Sequence, residues 1–306
     1  MRTHIAILCA VLAAAGCKKS GGSGGWLVGS NGTMANVRSD GSLGAGYHPA
    51  SSAQLNGIAC RYLGEAWVVG DAGTLLYTND GGASWSAQAV PTTANLRTLA
   101  TQDSGPVFVA GDGVFLTSND TGAHWTSVGD GQTAFRSVAA AQEASNVLAL
   151  SDDGALWSYD GALTQRATLA GARAVAISPD GTLAIAAGHG LARSLDGGAT
   201  WSPLAVDASL VFDDVRIGED GSAVAVGAGG AIATIDADGH VAVQHAGTAD
   251  LHTVHIADGD DDDATGFAAG DSGEVLLTHD GGASWQLGTN VGATVWGVDM
   301  IGAGHR

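Results

Sequence analysis

From residue 26 onward the chain alternates short apolar runs with glycine-rich polar turns, and no apolar stripe recurs at helical spacing. The runs are made of Val, Ala, Leu, Ile and Phe, residues that suit a pleated surface buried on both faces. They come in pairs around a tight turn, as in WVVGDAGTLLYTNDGGASW from Trp67 to Trp85. That segment returns from Val107 to Trp125, from Leu183 to Trp201 and from Phe267 to Trp285, with weaker copies beginning at Trp26, Val147 and Ala223. The starts lie at 26, 67, 107, 147, 183, 223 and 267, about 40 residues apart. Each unit is too small to bury its own apolar face, so the units must stack on one another.

A further strand pattern precedes most copies: Leu55-Asn-Gly-Ile, Leu96-Arg-Thr-Leu, Phe135-Arg-Ser-Val, Ala172-Arg-Ala-Val, Phe212-Asp-Asp-Val and Leu251-His-Thr-Val. The copy at Trp26 has none before it, and the missing one stands near the carboxyl end as Val295-Trp-Gly-Val. A closed ring accounts for this arrangement and leaves no open face at either end of the array. The expected fold is therefore all-β, a seven-bladed β-propeller over residues 26–306 whose C-terminal strand closes the first blade.

Four copies end in Ser/Thr-x-Asp-x-Gly-x-x-Trp, carried by Asp80 and Trp85, Asp120 and Trp125, Asp196 and Trp201, and Asp280 and Trp285. The carboxylate can accept hydrogen bonds from turn amides, and glycine supplies the positive φ that such a turn needs. The Trp covers apolar area between blades, with its N–H able to reach an acceptor. Around Asp160 and Asp236 the motif is eroded. These segments resemble Asp-box (BNR) repeats, which sialidases, sortilin-type receptors and several glycoside hydrolases share. The fuller pattern, with LRTL before VVGDxGTLLYTxDGGxSW, is similar to the photosystem II assembly/stability factor-like propellers over residues 26–301. That resemblance implies a non-catalytic propeller that binds protein partners during assembly of membrane complexes.

Composition narrows the reading. Of 306 residues 48 are Gly, and Lys plus Arg total 12 against 31 Asp plus Glu, a formal net charge of −19. The only two lysines are Lys18 and Lys19, which excludes a broad nucleic-acid surface. Residues 1–16 read as a secretory signal: Arg2, then a short apolar run ending in Ala14-Ala15-Gly16-Cys17, which resembles a bacterial lipoprotein box. Cys17 is then the lipidated residue, residues 17–25 a flexible tether, and the protein a monomer anchored in the bacterial cell envelope, with the outer membrane favoured. An ordinary cleaved signal is the alternative. Cys60 is the one thiol left over and is expected to be buried and inert.

An enzyme of the sialidase kind needs an arginine triad and a tyrosine nucleophile, and the chain has only Tyr47, Tyr62, Tyr77 and Tyr159, with no Arg-Ile-Pro motif. A carbohydrate-binding or glycoside-hydrolysing propeller is kept as the alternative to a protein-binding one. No cofactor or metal is expected. His252 and His255 should point to opposite faces of a strand, and the Asp258–Asp263 run reads as a solvated loop rather than a calcium site. The candidate contact surface comes from aligning the innermost strands. Their second residues are Asn56, Arg97, Arg136, Arg173, Asp213, His252 and Trp296, and equivalent positions on successive blades form a ring around the axis. Arg97, Arg136 and Arg173 fall on neighbouring blades. They should either pair with Asp residues of adjacent blades or, with Asp213, His252 and Trp296, form a partner-binding rim.

Overall fold

The computed structural model describes residues 25–47, 52–61, 64–143, 145–257 and 265–300. The predicted signal, Cys17 and its tether (but for Gly25), and the Asp258–Asp263 run, lie outside them. Seven four-stranded antiparallel sheets are arranged as the repeat predicts. Blade 2 runs Leu55–Cys60, Ala66–Gly70, Thr74–Thr78 and Ser86–Ala87 from the axis outward, and blades 3 to 7 repeat that order. Blade 1 is the exception: its innermost strand is Val295–Met300, paired antiparallel with Gly25–Gly29. The tail of the chain thus completes the sheet begun by its head. No helix among the described residues is long and apolar enough to cross a membrane.

The second strand of every blade is buried along its whole length, as its unbroken apolar run demands. Seven apolar clusters result, one between each pair of neighbouring blades. Trp26, Val28 and Met34 of blade 1 meet Leu55, Ile58 and Val68 of blade 2. Leu27 and Val37 meet Phe267 and Ala269 of blade 7, so the ring is sealed by the same packing that joins its other blades.

The Asp boxes lock the turn between third and fourth strands. Asp80 accepts hydrogen bonds from the Ser84 amide at 2.9 Å and from the Thr78 and Ser84 hydroxyls at 2.7 and 2.6 Å. The Thr78 hydroxyl in turn accepts from the Gly82 amide at 3.0 Å. Asp196 repeats this with Ser194 and Thr200, whose bonds hold its pKa down to about 2. Each box Trp packs against the cluster shared with the preceding blade. Trp201 and Trp285 donate to the carbonyls of Gly198 and Gly282 at 2.9 and 3.1 Å. Gly82, at φ +84°, lies so close to the Trp26 ring that any Cβ there would overlap it.

Candidate functional site

The innermost strands share a feature that alternation does not reveal. In all seven blades the register slips at the second residue of the strand, so that Asn56, Arg97, Arg136, Arg173, Asp213, His252 and Trp296 are each a β-bulge. A bulged residue leaves the ladder and its side chain is re-aimed. In six blades the facing strand carries glycine at the matching position, Gly70, Gly111, Gly188, Gly227, Gly270 and Gly29, where the backbones approach so closely that a Cβ would overlap the carbonyl just before the innermost strand. The amide of the residue after each glycine bonds that same carbonyl, as Asp71 does with Gln54 at 2.9 Å and Asp112 with Asn95 at 3.0 Å. In blade 4 Ser151 stands in the glycine position and Asp152 makes the equivalent bond.

All seven bulged side chains line one cavity of about 580 Å³ at the end of the axis where the innermost strands begin, together with Gln54, Asp71 and Asn95. This upper mouth is the ring expected from the sequence. It is not, however, a bare guanidinium cluster. Arg97 pairs with Asp112 of its own blade and with Asp152 of blade 4, the latter at 2.6 Å. Arg173 reaches across to Asp213 at 2.5 Å. Among the described residues Arg136 has only long polar contacts, 3.9 Å to Asp152 and 3.5 Å to the Ala172 carbonyl. The first of the two expected arrangements, pairing between blades, holds for Arg97 and Arg173, and Arg136 is left the least committed.

Asp71, Asp112, Asp152 and Asp271 are the residues that sequence reasoning missed. They occupy one repeated position, directly after the second strand, which Ser30, His189 and Ala228 fill in the other blades. Asn56 donates to Asp71 at 2.9 Å and to the Leu96 carbonyl of blade 3 at 2.9 Å. Trp296 donates to the Ser30 hydroxyl at 3.1 Å and stacks on His252, ring centroids 4.4 Å apart. His252 lies between Asp213 and Asp271. Burial works to raise the Asp213 carboxyl, but bonds from His252 and Arg173 outweigh it and hold the pKa below the ordinary range.

The two histidines are not separated by simple alternation, as the sequence suggested. The bulge lifts His252 into the mouth, while His255 follows Thr253 on the face toward blade 1 and meets Asp299 at 2.6 Å. His255 lines a second cavity of about 280 Å³ further along the axis, with Asp214, Arg216 and Asp299. Burial raises the pKa of Asp214 despite amide bonds from Val215 and Val254. Cys60 is partly exposed rather than buried. The tyrosines whose side chains are described lie away from the upper mouth. Tyr159 packs among Phe108 and Phe115, and Tyr77, pushed up to about 12 by burial and then by its bond to Glu65, is far from a nucleophile's range.

Asp-box turns, a strand that closes its own ring and a charged axial mouth define a seven-bladed propeller of the BNR-repeat class. Residues 20–295 match the family described as photosynthesis system II assembly factor YCF48, and the chain belongs to that family. Among solved structures it resembles YCF48 from Cyanidioschyzon merolae at 17% identity and TM-score 0.60, over 78% of this chain and 86% of that one. It also resembles a chain of the nidogen/laminin complex at 8% identity and TM-score 0.60, over 92% and 99% of the two chains. At such identities the likeness concerns fold alone. No curated protein sequence matches the chain.

Proposed function

We propose that this protein is a non-catalytic binding module that holds an extended, carboxylate-bearing segment of a partner protein in its upper mouth. The observation that carries this reading is the ring of seven bulged side chains around a 580 Å³ cavity in which, among the described residues, Arg136 has no carboxylate nearer than Asp152 at 3.9 Å. A guanidinium with spare donors matches the fork geometry of a carboxylate, and Trp296 offers apolar area across the same mouth. Membership of a family described as an assembly factor supports a protein partner over a sugar. The distance of Tyr77 and Tyr159 from the mouth supports binding over glycoside hydrolysis. In this reading Cys17 carries the lipid, the protein works as a monomer in the bacterial cell envelope, and its partner is a membrane complex under assembly.

Pull-down from envelope extracts tests it, comparing the wild type with Arg136→Glu and with the Arg97, Arg136 and Arg173 triple Glu variant. The partner recovered by the wild type should be lost with both variants while their melting curves show a folded propeller. Identical recovery would reject the mouth as the contact surface.

A further inference from the structure

Both ring nitrogens of His252 face carboxylates: Nδ1 lies 3.3 Å from Asp213 and Nε2 3.0 Å from Asp271. A neutral imidazole has one N–H and would turn a lone pair toward the second carboxylate, whereas an imidazolium donates to both. The side chain is only 14% exposed, and its ring lies nearly parallel to that of Trp296, at 19°, a placement that favours a cation. With both nitrogens engaged, His252 has no donor left to offer a partner. We propose that His252 is an imidazolium at neutral pH and that its charge, rather than a contact, sets how strongly the upper mouth accepts an anionic segment. This rests on the mouth being the binding surface.

The groups facing His252 come from three blades. Asp213 reaches it from blade 6 and Asp271 from the turn of its own blade, while Trp296 of blade 1 covers one ring face. Arg173 of blade 5 meets the other oxygen of Asp213 and opposes the imidazolium from a distance. Asp250, just before the strand, is engaged by the Gly229 amide at 2.8 Å. Burial disfavours the charged ring, but the bonds and charges of Asp213 and Asp271 outweigh it, so the pKa lies above 6.5. The charge is therefore present below that pKa and is lost as the pH rises through it. Its loss withdraws one imidazole N–H from the two carboxylates and makes the mouth more negative, so affinity for an anion falls.

Long-range ¹H–¹⁵N correlation of the imidazole in the purified chain, from pH 5 to 9, reads the protonation directly. Anisotropy with a fluorescent tetraglutamate peptide reads the consequence. The expected result is a doubly protonated His252 at pH 7, with the peptide bound roughly fivefold more tightly at pH 6 than at pH 8.5, as one nearby screened charge implies. His252→Gln should abolish that pH dependence. A neutral tautomer at pH 7, or wild-type binding that does not change with pH, overturns the inference. Failure of the peptide to bind at any pH instead rejects the mouth as an anion-accepting surface and with it the proposed consequence of the charge, while the imidazole spectrum still decides the protonation state.

Discussion

Asp299 offers the sharpest test of how the ring is closed. It lies on the tail strand of blade 1 and is 8% exposed. One carboxylate oxygen accepts the Cys60 amide of blade 2 at 2.6 Å; the other accepts the Met300 amide at 2.9 Å and lies 2.6 Å from His255 Nδ1 of blade 7. One side chain thus ties together the last blade, the closing strand and the blade after it. Removing the carboxylate leaves the Cys60 and Met300 amides without their acceptor, at about 1–3 kcal/mol each and so about 3–5 kcal/mol together. Asp299→Ala should therefore lower stability by that amount and the melting temperature by about 6–12 °C, given the few degrees per kcal/mol of domains this large. Asp299→Asn keeps an acceptor for the Cys60 amide and should cost about 1–2 kcal/mol. Burial works to raise the Asp299 carboxyl, but the charge and bond of His255, with the backbone amides, hold it below the ordinary range. Its contribution is present above pH 3.8 and fades as the pH falls below it. Urea unfolding followed by tryptophan fluorescence measures the change, and hydrogen exchange over residues 25–37 and 295–300 locates it. A loss under about 1 kcal/mol for Asp299→Ala, or equal losses for Ala and Asn, would refute the latch.

Two further outcomes follow from the turns. Gly82→Ala must fit a Cβ against the Trp26 ring at φ +84° and should cost about 3–4 kcal/mol, whereas Gly131→Ala, at φ +72° with nothing within 4 Å, should cost only about 1 kcal/mol; chemical denaturation of the pair separates packing from backbone strain. Asp120 and Asp196, both held at about 2 by bonds within their boxes, add stability that is complete above pH 3.8 and is lost as the pH falls toward 2. Thermal melts from pH 5 to pH 2 should show a shallower acid decline for Asp196→Asn than for the wild type.

The fold was legible because its repeat is nearly regular. The displaced strand Val295–Met300 and the Gly-Gly-Ala-Ser/Thr-Trp boxes each have one reading in a closed ring. The identity of the mouth residues was legible too, since any register that aligns Asn56 with Arg97 and Arg136 aligns the rest. What they touch was not. Alternation assigns His252 and His255 by parity, and a bulge cancels parity. The carboxylates of Asp112 and Asp152 reach Arg97 from a turn and from the next blade, contacts that no single repeat displays. A signal for this position was nevertheless present in the Gly-Asp-x-Gly that holds Asp71 and Asp271 between second and third strands, a pattern that Gly-Asp112-Gly and Ser-Asp152-Asp-Gly only approximate. Asp214 and Asp299 became intelligible only once neighbouring blades supplied their amide partners at Val254 and Cys60.

A benzophenone side chain placed at Gln54, in the upper mouth, and separately at Pro179, in the second cavity, tests the proposed binding face most directly. After irradiation in envelope extracts, the Gln54 variant should yield a discrete adduct that disappears when Arg136→Glu is added, and the Pro179 variant should yield none. An adduct from Pro179 alone, or one from Gln54 that survives Arg136→Glu at full strength, would contradict the assignment of partner binding to the upper mouth.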